Sequence, residues 1–183
     1  MKLINDNLKK TSIFNSILIV IALVLRVMNV WKMSGIAIVD TVVCVLCLLF
    51  GLLYCLNGYK KDVAKYYKYF MYLFVLDCII SFATIFVLFG LKQFNQIGFI
   101  HGVHIAILIC ACLLAFVKDF GEHNSKTAAC IILVLNSITL FNDLINGLLV
   151  TVNYGSLAFF IQSIIVYVLV SQKYADKASR GTI

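Results

Sequence analysis

The sequence predicts an all-α integral membrane protein built as a compact bundle of six transmembrane helices. Three observations lead to this fold class. Hydrophobic residues make up 63% of the 183 positions, and the mean hydropathy is +1.03. These residues form six runs, each near the roughly 20 residues needed to cross about 30 Å of hydrocarbon. The connections between the runs are short. Residues 1–183 are therefore expected to form a single polytopic transmembrane domain.

Each predicted span is an apolar run bounded by polar residues. The spans lie near residues 12–32, 35–57, 67–90, 97–117, 127–150 and 154–172. The first follows a lysine-containing N-terminus, as a secretory signal would, but no small-x-small cleavage site follows it. We therefore expect an uncleaved helix.

The connections alternate between charged segments and tight turns. The second and third spans are separated by a basic stretch, and the fourth and fifth by a polar loop that starts at Lys118. The remaining turns lie beside Gly35, Gly98 and Gly155. This alternation favours three successive helical hairpins, which need not be true repeats. The chain contains no proline, so continuous helices are expected.

The distribution of positive charge predicts the orientation. Twelve of the 15 Lys and Arg residues lie in the two terminal segments and the two charged connections, whereas Lys32 and Lys92 lie in the tight turns. The positive-inside rule then places both termini in the cytoplasm, and we expect a prokaryotic plasma membrane. The net charge of +7 is explained by anionic lipid headgroups, and no nucleic-acid partner is expected because no basic recognition face accompanies it.

One basic segment is predicted to anchor the bundle at the membrane surface. It carries Lys60, Lys61, Lys65 and Lys68. Lysines in this position are attracted to a negative lipid surface. Docking of a cytoplasmic or membrane partner protein, such as an energy-supplying ATPase, is the alternative role.

The candidate ligand-binding residues are polar side chains at a similar depth inside the spans. They are Arg26, Asp40, His101, His104, Asp143, Asn146 and Gln162. A rise of 1.5 Å per residue places them roughly 6 to 10 Å below the outer boundary. Ionisable groups at membrane depth usually face the bundle interior or a hydrated cavity. Asp77 is expected to lie apart from this layer, nearer the cytoplasmic side.

The first tight turn should bring two of these charges together. Arg26 and Asp40 flank it at similar depths, so an antiparallel hairpin predicts an ion pair. The alternative is that Arg26 extends towards the outer headgroups. If the pair forms, Asp143 is the unmatched charge of the layer.

Two helix faces carry recognisable stripes. Asn136, Thr139 and Asp143 recur at helical spacing on the fifth span, and this stripe should point inward, either as a solute pathway or as interhelical hydrogen bonding. On the fourth span Gly102 and Ala106 belong to a small-residue stripe that predicts close helix packing.

Metal and redox roles are weakly indicated. His101, His104 and Asp143 are the candidate metal ligands, but two histidines do not make a zinc site without further ligands that converge on them. No metal or haem cofactor is therefore predicted. The seven cysteines lie in or beside apolar runs and are interpreted as small hydrophobic residues rather than as disulfides.

The residues favour a binding or transport function over catalysis. No phosphate-binding loop or hydrolase motif is present in the sequence, so no enzyme is predicted. We expect a component that binds or helps to transport a small polar or cationic solute. The alternative is a non-catalytic accessory, immunity or regulatory membrane protein. A membrane enzyme or a metal- or haem-binding protein is a third possibility.

In size and helix number the chain resembles the substrate-binding subunits of energy-coupling-factor transporters. That resemblance is architectural and implies a six-helix solute-binding subunit. The alanine-spaced motif of their first helix is absent here, where Ala22 stands alone, so no residues are carried over.

Overall fold

The structure is a computed structural model that describes residues 2–30, 36–57, 63–89, 94–118, 120–145 and 154–181. Within these ranges the chain forms six α-helices. They are α1 (Lys2–Val30), α2 (Ile36–Asn57), α3 (Val63–Phe89), α4 (Phe94–Phe116), α5 (Glu122–Ile145) and α6 (Tyr154–Gly181). The six predicted helices are confirmed.

The first and last helices are longer than their predicted spans. α1 begins at Lys2 instead of residue 12, and α6 continues to Gly181 instead of residue 172. Both extensions are rich in lysine and other good helix formers, which continue a helix beyond its apolar part. The predicted end of the fifth span, residues 146–150, lies outside the described residues.

Five helices are long and apolar enough to cross a membrane. Their apolar windows are Lys10–Val27, Ile38–Leu56, Lys65–Ala83, Glu122–Asn142 and Ser156–Ala175, and the described part of α4 contributes a shorter apolar stretch, Gly102–Phe116. The distribution of side chains fits lipid as the solvent. Large aliphatic residues such as Val24 and Leu56 are exposed, whereas Arg26, Asp77 and Gln162 are buried.

The helices form a closed ring in chain order. Each helix packs against the next, α6 returns to α1, and α2 also contacts α6. Side-chain contacts show antiparallel neighbours: Arg26 near the end of α1 contacts Asp40 near the start of α2, while Ser12 near the start of α1 donates a hydrogen bond to the Cys55 carbonyl near the end of α2. Because α2 also packs against α3 and α4 against α5, helices of different predicted hairpins are in contact as well.

Aromatic and hydroxyl groups fasten the end of the bundle where α1 begins and α6 ends. The Tyr174 hydroxyl donates to the Gly121 carbonyl at 3.0 Å and lies 2.8 Å from the Ser125 hydroxyl, so α6 is tied to the start of α5. Gly121 has φ +77°, a conformation that favours glycine at this turn. Lys173 Nζ lies 4.6 Å from the centre of the Tyr67 ring on α3.

The glycine on the predicted packing stripe of α4 does not support close approach. Gly102 is exposed, and a Cβ built on it would have no atom within 4 Å. Among the described residues the prediction of close helix packing is therefore wrong at Gly102, whereas Ala106 of the same stripe is partly buried.

At Gly51, by contrast, the close packing of neighbouring side chains leaves little room for a Cβ atom. A Cβ there would lie 3.1 Å from Phe70 Cδ2 and 3.5 Å from Ile19 Cδ1. Phe70 is fully buried and stacked on Phe74, so it has little freedom to move. We expect Gly51→Ala to lower the free energy of unfolding by about 1 kcal/mol in an SDS mixed-micelle titration.

Gly102→Ala is the matched control, since the added methyl group meets no neighbour. It should leave stability unchanged or raise it by about 0.5 kcal/mol, because alanine is the better helix former. Equal stability of the two variants would contradict tight packing of Phe70 over Gly51.

Candidate polar site

A buried ion pair joins the first two helices at the end of the bundle where α2 begins. Arg26 Nη1 lies 2.9 Å from Asp40 Oδ2 and donates a hydrogen bond to it. The predicted ion pair is confirmed. The Arg26 side chain is only 6% exposed, so it points into the bundle rather than towards lipid headgroups.

A third helix contributes a hydroxyl to the same carboxylate. Ser81 on α3 donates a hydrogen bond to Asp40 Oδ1 at 3.1 Å. Asp40 therefore accepts from α1 through one oxygen and from α3 through the other. Its side chain is 14% exposed and forms the most accessible charged part of the site.

Asp77 lies beneath this pair, and the expectation that it stands apart from the polar layer is wrong. Arg26 Nη2 is 3.9 Å from Asp77 Oδ2. The depth prediction failed because it counted backbone positions, whereas a long arginine side chain reaches along the helix axis. The Asp77 side chain is fully buried, and both its oxygens lack a hydrogen-bond partner.

Gln162 on α6 is fully buried and lies with two cysteines on the inner side of the site, which we call its floor. Its Oε1 accepts a hydrogen bond from Cys44 Sγ at 3.4 Å, and its Nε2 donates to Cys47 Sγ at 3.7 Å. Both thiols belong to the Cys-x-x-Cys sequence on α2, whose spacing places them on one helix face. These cysteines are free and buried, and they act here as weak hydrogen-bonding groups.

We call these side chains the internal polar cluster. Its members are Arg26, Asp40, Asp77, Ser81 and Gln162, with Cys44 and Cys47 at its floor. They come from α1, α2, α3 and α6. The cluster meets an apolar wall where Arg26 Cζ lies 5.9 Å from the centre of the Phe159 ring, which is itself stacked on Phe74 at 6.2 Å.

The structure brings together three of the four predicted binding residues whose side chains it describes. Arg26, Asp40 and Gln162 belong to the cluster. His104 is partly buried on α4, which packs against α3 and α5. The side chains of His101 and Asp143, and all of Asn146, lie outside the described residues.

The other predicted residues are placed only in part. Lys65 and Lys68 are exposed at the start of α3, whereas Lys60 and Lys61 lie outside the described residues. On α5 Asn136 is buried as the inward stripe predicts, and the Thr139 hydroxyl donates to the Leu135 carbonyl of its own helix.

Four members of the site were not predicted from the sequence: Asp77, Ser81, Cys44 and Cys47. One signal was available for Ser81, which lies one helical turn after Asp77 and shares its face. The role of the cysteines depends on where Gln162 projects across the ring, which no local pattern encodes.

The cluster offers charged and hydrogen-bonding groups. Within the described part of the chain, no group of three or more His, Cys, Asp or Glu side chains is arranged to hold a metal ion. Two carboxyl groups share one guanidinium group, which gives the cluster surplus negative charge when both carboxyl groups are ionised. Such an arrangement suits a positively charged ligand.

Comparison with known proteins adds no family to this description. No protein-family model, no curated protein and no solved structure matches the chain. The fold and the cluster define a helical protein with several helices long and apolar enough to span a membrane and with a charged interior.

Proposed function

We propose that this is a small multi-pass membrane protein that binds, or helps to transport, a small polar or cationic solute through the internal polar cluster. The observation that carries the proposal is the charge imbalance at Asp77. Arg26 forms its short contact with Asp40 at 2.9 Å and lies 3.9 Å from Asp77, whose oxygens have no hydrogen-bond partner. A buried group in this state is stabilised by a ligand that brings positive charge or hydrogen-bond donors.

The position of the cluster suggests where the solute enters. Arg26 lies four residues before the end of α1, and Asp40 lies four residues after the start of α2. At 1.5 Å per residue, both are about 6 Å from the helix ends. Asp40 is 14% exposed and Asp77 is fully buried, so we take the Asp40 side of the cluster as its mouth, where the solute would enter.

The proposed location is a prokaryotic plasma membrane, with both termini in the cytoplasm and the mouth of the cluster facing outward. The support comes from the Lys and Arg distribution, because the described residues Lys65, Lys68, Lys118 and Lys126 lie near helix ends opposite to the cluster. The proposed role is non-catalytic, with the lipid bilayer as its surroundings and a partner protein at the basic end as a further possibility.

An accessory or regulatory role is the second candidate. The observation that favours it is the pair of hydrogen bonds that Asp40 accepts from Arg26 and Ser81. These bonds join α1, α2 and α3. On this alternative the polar side chains only fasten helices, as hydrogen-bonding residues often do in membranes.

The binding proposal is tested by ligand-induced stabilisation of the purified protein in lipid nanodiscs. The probes are methylammonium, choline, sodium and potassium chlorides, each added at increasing concentration. We expect at least one cation to raise the melting temperature in a saturable way, with about 2.7 kcal/mol of stabilisation at one hundred times its Kd. Asp40→Asn should abolish this response because it removes the carboxylate at the mouth.

Glu122→Gln is the matched control, since Glu122 is exposed and pairs only with Lys126 among the ion pairs of the described residues. It should respond like the unmodified protein.

Alanine replacement of His104 or Asp143 tests whether the wider predicted layer takes part. Loss of abundance in proportion to stability, with no cation response in any variant, would instead support the accessory role.

A further inference from the structure

Asp77 differs from Asp40 in having a longer ion-pair contact with Arg26 and no hydrogen bond of good geometry to either carboxyl oxygen. Its side chain is fully buried, and neither oxygen accepts a hydrogen bond. The Arg26 guanidinium group lies 3.9 Å away, and the same group makes a 2.9 Å hydrogen-bonded contact with Asp40. The positive charge of Arg26 is therefore shared unequally, and most of it serves Asp40.

The groups that face Asp77 come from four helices. Arg26 faces it from α1, Asp40, Cys44 and Cys47 from α2, Cys78 from α3 itself and Gln162 from α6. On α4 the described titratable residues are His104, Cys110 and Cys112, of which Cys112 faces Cys78. In this described environment Arg26 is the one positively charged group facing Asp77.

Gln162 is already committed to other partners. Its oxygen accepts from Cys44, and its nitrogen donates to Cys47. The amide also faces Asp77, but its hydrogen bonds of good geometry go to the two thiols. One guanidinium group cannot neutralise two carboxylates, so a second positive charge is needed while Arg26 holds Asp40, because an uncompensated buried charge is very costly.

We propose that the ligand of Asp77 in the closed bundle is a proton, which a cationic solute displaces when it enters the cluster. Both carboxyl oxygens are buried and out of contact with solvent. A metal cation needs several oxygen ligands and room for them. A proton forms an O–H bond on one carboxylate oxygen without moving a helix.

The exchange balances in charge. The Asp77 carboxyl group releases one proton to bulk water and becomes a carboxylate, and one monovalent cation takes the place of that positive charge. This inference rests on the proposed solute binding, but the protonation of Asp77 is measurable without any solute. Failure of the solute assay and failure of the proton assay are therefore distinguishable.

The test is infrared difference spectroscopy of the purified protein in lipid nanodiscs, recorded between alkaline and mildly acidic pH in H₂O and in D₂O. We expect the C=O stretching band of a protonated carboxyl group in apolar surroundings, with a downshift in D₂O. Asp77→Asn should lose the band, and Glu122→Gln should keep it. Asp77→Asn has nearly the shape of the protonated acid, so it should fold, which elution volume and helical circular dichroism check.

A further variant tests the sharing of Arg26. In Asp40→Asn the guanidinium group is free to turn towards Asp77, so the Asp77 band should shrink at the same pH. The absence of any band that depends on Asp77 across the pH range would overturn the proposal. An Asp77 band of equal size in Asp40→Asn would overturn the role of Arg26 in leaving Asp77 protonated, and an Asp77 band left unchanged by a cation that stabilises the protein would overturn the exchange.

Discussion

Replacement of Arg26 by methionine is expected to lower the free energy of unfolding by about 3 to 5 kcal/mol, as measured by SDS mixed-micelle titration. Methionine keeps most of the apolar length of the side chain but removes the only positive charge that the structure places within 4 Å of Asp40 and Asp77 in the described cluster. Breaking a buried pair by removing one partner leaves an uncompensated charge, which is why the effect is large.

Two further variants separate this charge effect from general damage. Adding Asp40→Asn and Asp77→Asn to Arg26→Met neutralises the cluster and should recover most of the lost stability. Lys126→Met also breaks an ion pair, but Glu122 is 56% exposed, so stability should change little. If Arg26→Met were no worse than Lys126→Met, Arg26 would not be the counter-charge of the interior.

The second large effect is expected for Phe74→Ala, with a loss of about 3 kcal/mol. Phe74 is fully buried, and its ring is stacked on Phe70 at 6.4 Å and on Phe159 at 6.2 Å. The value lies at the lower end of the range for buried phenylalanines, because packing rather than transfer from water drives helix association in lipid. The same titration measures it.

Phe116→Ala is the matched control for this cavity. Its ring stacks on Tyr72 at 5.4 Å but is 62% exposed on the outer surface. Removing it should cost about 1 kcal/mol or less. Phe74→Ala should also weaken the cation response, because Phe159 would lose the ring that holds it beside Arg26. Equal effects of the two substitutions would argue against a tightly packed wall around the cluster.

The helices could be predicted from the sequence because each is a continuous apolar run. Lipid imposes a minimum length on a span, and the absence of proline leaves the runs unbroken. The extensions of α1 and α6 were missed because hydropathy reports where a helix meets lipid and not where its hydrogen bonding ends. The ring order is likewise a property of packing between helices that are distant in the chain.

The ion pair between Arg26 and Asp40 could be predicted from the sequence, because it joins helices that are consecutive in the chain. Arg26 and Asp40 flank one tight turn, so an antiparallel hairpin brings them together. Asp77 was misplaced because its partner reaches it through a long side chain. Gln162 was expected in the polar layer, but its bonds to the Cys44 and Cys47 thiols required knowledge that α6 returns to α2.

The pairing across the first turn also bears on how the chain enters the bilayer during synthesis. An isolated charge at the centre of a helix costs about 2.5 to 3.5 kcal/mol to insert. Arg26 and Asp40 belong to consecutive helices. The first two segments therefore leave the ribosome with one positive and one negative charge that can neutralise each other. Asp77 follows with the third segment, when a guanidinium group is already present to receive it. The order of synthesis thus matches the order in which the charges can be accommodated, and Gln162 closes the cluster last.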